Sequence, residues 1–238
     1  MKISFSIITV TLNSKNNLIK TINSVQSQRY KFFSHIIKDG LSSDKTNEID
    51  FANLENTKFI ESGDLGVYDA MNQGFKLSKY EYVIFLNAGD IFLSINTLAD
   101  LAKNIKNNPN FNSYSGGTLQ INPVTKEFKR LIGIGNLYKF FHFAQLPHPS
   151  FVVRRSVLSK LNIAFDSNLK ISADYKLQLE LRKRQLWKNF YINEIISIMP
   201  TGGISTLNKK SIINGYKETL IFSFKLYNFI SIYIILIK

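Results

Sequence analysis

The chain opens on Ile3-Ser4-Phe5-Ser6-Ile7-Ile8-Thr9-Val10, an almost unbroken apolar run, and turns polar at Thr11-Leu12-Asn13-Ser14. A short Ile/Val-rich run of this kind suits a strand buried on both faces of a parallel sheet. Downstream, Leu18, Ile19, Ile22 and Val25 recur at helical spacing and predict a helix over Asn17–Gln28. A second strand is expected at His35–Lys38, stopped by the turn signal Asp39-Gly40. Ser42-Ser43-Asp44-Lys45-Thr46 offers caps for a short helix. Lys58–Glu61 reads as a third strand, Leu65–Leu77 as a helix and Tyr82–Leu86 as a fourth strand ending at Asn87-Ala88-Gly89-Asp90. This alternation argues for an α/β fold, a mostly parallel sheet with helices on both faces.

In such sheets ligands bind in the crevice at the carboxyl ends of the strands. Thr11, Asn13, Asp39, Asp64, Asn87 and Asp90 all fall at or just after predicted strand ends. Their convergence is a functional argument that needs no relative.

The second half is less regular. A helix is expected at Leu98–Lys106, strands at Ser113–Ile121, Phe151–Val153 and Phe190–Ile198, and helices at Ser156–Leu161 and Asp174–Gln185. Residues 122–146 show no period and read as a loop region over the active face. From Tyr216 the chain is dominated by Ile, Phe, Leu and Tyr, with Glu218, Lys225 and Asn228 on one side of a helix. Three readings of this tail stand open: a core-packing helix, a membrane-surface helix, or a spanning helix. The expected organisation is one domain over 1–210, divided at about 112/113 into a regular first half and a less regular second half, then an apolar helical tail over 211–238.

Hydrophobic residues make up 45% of the 238, enough for a packed core and too many for a disordered chain. The absence of cysteine excludes disulfide scaffolds and thiolate metal sites. A net charge of +13 points to an anionic partner. The lysines are scattered rather than clustered with aromatics, so no nucleic-acid motif stands out and no nucleic-acid partner is expected. Met1-Lys2-Ile3-Ser4 runs straight into the first strand without the pattern of a signal peptide, so a cytoplasmic location is expected.

Three carboxylates carry the candidate chemistry. Asp90 follows small Ala88 and Gly89 at a strand end, where it can reach a divalent cation while a diphosphate approaches the backbone. A turn or cap role is its plain alternative. Asp39 can accept from the imide N–H of a base, or can simply anchor an Asp-Gly turn. Asp174, near the start of a predicted helix, can act as a general base or as an N-terminal cap.

Order and spacing add to these single signals. Ser6-Ile7-Ile8-Thr9-Val10-Thr11-Leu12-Asn13 resembles the opening of family 2 glycosyltransferases. Asp39-Gly40-Leu41-Ser42-Ser43-Asp44-Lys45-Thr46 resembles that family's turn. Asp64-Leu65-Gly66-Val67-Tyr68-Asp69-Ala70-Met71-Asn72-Gln73-Gly74 is similar to a stretch of a bacterial polysaccharide-biosynthesis subgroup of colanic-acid type. Asn87-Ala88-Gly89-Asp90 stands where the family has its metal motif, and His148-Pro149-Ser150-Phe151 and Ala173-Asp174-Tyr175 resemble the acceptor side. The resemblance spans about residues 3–200. It implies a Rossmann-like A-type domain whose halves over about 1–112 and 113–210 serve a nucleotide-sugar and an acceptor. Thr11, Asn13, Asp39, Asp64, Asn72 and Asn87 would bind the nucleotide-sugar, and Asp90 would hold Mg²⁺ or Mn²⁺. Asp174 would be the base, and His148 would orient the acceptor or support the metal region. Here Asn87 and Gly89 leave Asp90 as the single acid of the metal motif, and Ala173 precedes Asp174 where many members have Glu.

The implied activity is inverting transfer from a nucleotide-diphosphate sugar to a saccharide or lipid-diphosphate-linked acceptor, in bacterial surface polysaccharide synthesis. The implied place is the inner face of the cytoplasmic membrane. The rival reading is a non-catalytic nucleotide-sugar-binding or scaffolding protein on the same fold.

Overall fold

The computed structural model describes residues 2–133, 143–203 and 208–228. The tail beyond 228 and the middle of the 122–146 segment lie outside them. β1 (Phe5–Thr11) is buried at all seven positions, as a strand covered on both faces must be. It pairs in parallel with β2 (Phe33–Asp39) and β4 (Tyr82–Phe85), and β2 pairs in parallel with β3 (Thr57–Glu61). Thr11 lies opposite Asp39, and Asp39 opposite Glu61, so the polar strand ends meet on one edge.

The remaining strands are β5 (Ile91–Phe92), β6 (Ser113–Ile121), β7 (Phe128–Ile132), β8 (Phe151–Arg154) and β9 (Asn189–Pro200). The sheet runs β3-β2-β1-β4-β8-β6-β9-β5, with β7 paired to β6. The parallel expectation describes β1 to β4. From β8, antiparallel on β4, the sheet becomes mixed, because β6 and β8 are antiparallel while β6 and β9 are parallel.

Helices α1 (Lys15–Gln26) and α2 (Val67–Leu77) follow β1 and β3. α3 (Thr97–Asn107), α4 (Arg155–Leu158), α5 (Ala173–Lys183) and α6 (Lys209–Tyr227) are the other α-helices among the described residues. The short helix expected after Ser42 is two 3₁₀ turns, Thr46–Glu48 and Phe51–Asn53. The alternation of β1 supplies two cores. Ile8 and Val10 join Met71 of α2 and Ala173 and Leu177 of α5, while Phe5 and Ile7 join Leu98, Leu101 and Ile105 of α3. The tail helix α6 lies on α5 through Phe222, which packs with Tyr175 and Leu179 and with partly buried Tyr227. Among the described residues, no helix is long and apolar enough to cross a membrane.

Candidate active site

The β1 and β2 ends are tied together first. The Gly40 N–H donates to the Thr11 carbonyl at 3.0 Å. Asn13, in the left-handed region at φ 48°, accepts from the Ser43 N–H at 2.8 Å, and its own N–H donates to Ser42 Oγ. Asp39 is fully buried, with one oxygen accepting from the Ser42 N–H at 2.8 Å and the other from the Ser42 hydroxyl at 2.5 Å. Both Asp39 oxygens therefore already serve the turn. A base N–H would have to share one of them.

Asp64 is engaged at both oxygens as well. Its Oδ2 pairs with Lys38 Nζ at 2.9 Å, and its Oδ1 accepts from the Gly66 N–H. Lys38 is buried at the end of β2 and also donates to the carbonyls of Asp39 and Ser62. Its charge is thus neutralised and hydrogen-bonded, the condition under which a buried cation is tolerated. A Cβ on Gly40 would stand 2.8 Å from Asp64 Oδ2, so the approach of the two loops requires glycine there. Thr11 is buried, and its Oγ1 has no hydrogen-bond partner among the described residues. An orphaned hydroxyl at a strand end costs about 1–3 kcal/mol unless something outside the chain meets it.

Asn72 does not reach this cleft. Its Nδ2 donates to the Phe165 carbonyl at 2.7 Å and its Oδ1 accepts from the Phe165 N–H at 3.0 Å. It clamps α2 to the segment before α5. Both polar atoms of the side chain expected to bind the sugar are thus engaged by the Phe165 backbone.

Asp90 is held by its backbone: its carbonyl accepts from the Thr21 hydroxyl at 2.8 Å, and its N–H donates to the Asn87 carbonyl at 2.9 Å. Gly89 takes φ 103°, a conformation that favours glycine. His148, in the 3₁₀ turn His148–Ser150, brings Nε2 to 3.1 Å from Asp90 Oδ2 and 3.3 Å from Asn87 Nδ2. Of the two roles expected of His148, the geometry joins it to Asp90. Desolvation lowers its pKa, but the hydrogen bond and charge of Asp90, with the charge of Asp174 beyond, outweigh it and hold the imidazole above its ordinary value. Asn87 Oδ1 is buried without a partner among the described residues.

Asp174 sits in the first turn of α5. Its Oδ1 lies 3.3 Å from the Tyr68 hydroxyl, and its Oδ2 accepts from Gln145 Nε2 at 3.2 Å. Burial, then the charge of Asp174, pushes the Tyr68 phenol well above its ordinary pKa, so it stays a donor. Neither Tyr68 nor Gln145 was expected here from sequence. Tyr68 stands inside the quoted Asp64–Gly74 stretch with no role assigned to it, and Gln145 lies in the segment without period.

His148 thus joins Asp90 to Asn87 and feels the charge of Asp174, and Tyr68 links the start of α2, just after Asp64, to the entry of α5.

Comparison with known proteins agrees. Residues 6–161 match the family described as "Glycosyl transferase family 2". The chain is 36% identical over 104 residues to a "PGL/p-HBAD biosynthesis glycosyltransferase" of Mycobacterium bovis (strain BCG / Pasteur 1173P2), a match covering 41% of this chain and 40% of that protein. It is 25% identical over 226 residues to an uncharacterized glycosyltransferase of Mycobacterium tuberculosis (strain CDC 1551 / Oshkosh), covering 88% of this chain and 80% of that one. Among solved structures, S. aureus TarS 1–349 in complex with UDP-GlcNAc superposes with a TM-score of 0.75 at 17% identity, covering 98% of this chain and 70% of that one. The fold is the expected α/β, A-type-like domain, and the chain belongs to glycosyl transferase family 2.

Proposed function

We propose that the chain moves a sugar from a nucleotide-diphosphate donor to a saccharide or lipid-linked acceptor, with inversion at the anomeric carbon, in bacterial surface polysaccharide synthesis. One observation carries this reading: His148 pairs with Asp90 at 3.1 Å, and its imidazole also feels the charge of Asp174, remote from both in sequence. In its support, TarS was solved with UDP-GlcNAc.

Donor binding falls to Asp64 and Thr11, with Asn13 and Asp39 fixing the loops that carry them. Asp174 takes the proton of the acceptor hydroxyl as that oxygen attacks the anomeric carbon. Gln145 donates to one carboxylate oxygen at 3.2 Å, and the Tyr68 hydroxyl, whose proton goes to the Ile171 carbonyl at 2.6 Å, stands 3.3 Å from the other, so both limit the swing of the base. Attack opposite the leaving diphosphate gives inversion, the logic of inverting glycosidases with a hydroxyl in place of water.

The residues fit a divalent cation. Asp90 and the orphaned Asn87 Oδ1 offer oxygen donors of the kind Mg²⁺ and Mn²⁺ accept, with the His148 imidazole hydrogen-bonded to Asp90 beside them. Bound there, the ion would neutralise charge on the departing diphosphate.

The outer face of α6 supports a peripheral place on an anionic membrane. Ile213, Leu220 and Phe224 are exposed along one side, with Ile212, Tyr216 and Ile221 beside them and Lys209, Lys210 and Lys217 on the same helix. Loss of cosedimentation with anionic vesicles in an Ile213→Glu, Leu220→Glu variant is the expected result. Unchanged partition would refute the membrane assignment.

The test of the activity is to incubate the full chain with UDP-glucose, UDP-GlcNAc, UDP-galactose and GDP-mannose, with Mg²⁺ or Mn²⁺, and to measure released nucleoside diphosphate. Asp90→Ala and Asp174→Ala are each expected to lower turnover by roughly a hundredfold or more with an unchanged circular dichroism spectrum. Equal turnover by both variants would return the chain to the rival reading of a non-catalytic binding protein.

A further inference from the structure

The carboxylate of Glu218, in the middle of α6, accepts three consecutive backbone N–H groups. Oε1 takes that of Lys170 at 2.8 Å, and Oε2 takes those of Ile171 at 3.0 Å and Ser172 at 2.9 Å. These residues lead directly into α5, whose second residue is Asp174. Ser172 occupies the N-cap position but makes no side-chain cap; its hydroxyl instead donates to the Gly215 carbonyl on α6 at 3.1 Å. The entry to α5 is therefore oriented from outside, by the tail helix. On the opposite side, the Ile171 carbonyl accepts from the Tyr68 hydroxyl at 2.6 Å, the same hydroxyl that stands by Asp174. The Ile171 residue is thus pinned at its N–H by α6 and at its C=O by α2.

The contact is built for closeness. A Cβ on Gly215 would lie 3.0 Å from Ile171 Cγ2. Apolar packing of Phe222 against Tyr175 and Leu179 also docks α6, with the Tyr227 hydroxyl donating to the Leu179 carbonyl at 2.8 Å. The Glu218 carboxylate adds contacts made only to the three residues that lead up to Ala173 and Asp174.

We propose that Glu218 is a positioning residue: it fixes the backbone that carries Asp174, so the tail helix is part of the catalytic apparatus. This rests on the reading of Asp174 as the base. The Gln variant keeps the shape but loses the charge and one acceptor oxygen, and its NH₂ would face a backbone N–H. The aim of the base then loosens, and small misplacements of a reacting group cost roughly tenfold to a hundredfold in rate.

The experiment uses full-length wild type, Glu218→Gln, Glu218→Asp and Asp174→Asn, with the donor that turns over fastest in the panel above. Three quantities are read: kcat and donor KM; affinity for the matching nucleoside diphosphate by calorimetry; and amide exchange by mass spectrometry. The expected result for Glu218→Gln is a kcat lower by roughly tenfold or more. Donor KM and nucleotide affinity should stay within about twofold, with faster exchange confined to the segment around residues 168–174. Glu218→Asp, which keeps the charge but not the reach, should fall between. An unchanged kcat in Glu218→Gln, with Asp174→Asn inactive, overturns the positioning role alone. Exchange that quickens across the whole domain, with nucleotide affinity lost in parallel, makes Glu218 a general structural residue and also overturns it. Full activity in Asp174→Asn removes the base itself, and the proposal with it.

Discussion

The Tyr68 hydroxyl stands 2.6 Å from the Ile171 carbonyl and 3.3 Å from Asp174 Oδ1, joining the first turn of α2 to the first turn of α5. One phenol thus reaches both the backbone before the proposed base and the base itself. Tyr68→Phe keeps the ring and its stacking on Phe165 but leaves that buried carbonyl unmet. We expect a loss of about 1–2 kcal/mol in urea unfolding, and a kcat lower by roughly tenfold with little change in donor KM. A raised donor KM without a fall in kcat would assign Tyr68 to donor binding instead.

His148 lies on Asp90 rather than on a free acceptor wall. His148→Ala should therefore raise the Mn²⁺ concentration for half-maximal activity by roughly tenfold or more, read by titrating the ion into chelator-treated enzyme. An unchanged ion requirement, with a raised acceptor KM, would place the imidazole on the acceptor.

Gly40→Ala puts a methyl where only 2.8 Å separates it from Asp64 Oδ2. To make room, Asp64 must leave the buried Lys38 ammonium. The expected cost is about 1–3 kcal/mol of stability, together with a nucleoside-diphosphate affinity lower by roughly tenfold. Calorimetry with UDP and GDP checks the second; wild-type affinity would detach the Lys38–Asp64 pair from the donor.

His35 gives a pH prediction. Thr9 Oγ1 donates to the Leu86 carbonyl, so at 2.9 Å it accepts from His35 Nε2, and the imidazole is neutral, with its Nδ1 unpartnered among the described residues. Burial drives the His35 pKa from 6.5 down to about 3. A depressed folded pKa means that the unfolded chain takes up the proton first as pH falls. The stability tied to His35 is whole above pH 6.5 and drains as pH drops toward 3, at about 1.4 kcal/mol per unit. Between about pH 7 and 4.5 this amounts to roughly 3 kcal/mol. His35→Leu should lose correspondingly less over that interval in urea titrations; parallel losses would show that other groups govern the acid limb.

Much of the first half was legible because it is written in local signals. β1 and β4 are buried on both faces, so their sequences are largely apolar runs, while β2 is marked by Ile36-Ile37 and by the Asp39-Gly40 turn that ends it. β7 was missed because Phe128-Lys129-Arg130-Leu131-Ile132 is an exposed edge, with no buried face to impose a period. β5 is two residues long and leaves no pattern. Asp90 and Asp174 stand out in the sequence because they sit at element ends. Gln145 does not, since only the tertiary approach of its segment to α5 gives it a contact with Asp174. Asn72 lies inside the quoted motif, and its side chain bonds the Phe165 backbone, a contact that no local signal reveals. Glu218 was visible as a charge on an apolar helix, but nothing local says that three amides 46 to 48 residues upstream in the chain await it.

The inward side of α6 is made of Gly215, Thr219, Phe222 and Ser223, while its bulkiest aliphatic residues face outward. Such a greasy end invites removal when a protein is prepared for purification. A version cut before Asn208 would keep every residue of the nucleotide cleft and yet be blunted in turnover. Its silence toward a candidate sugar would then be a false negative and would say nothing about which sugar the intact chain prefers.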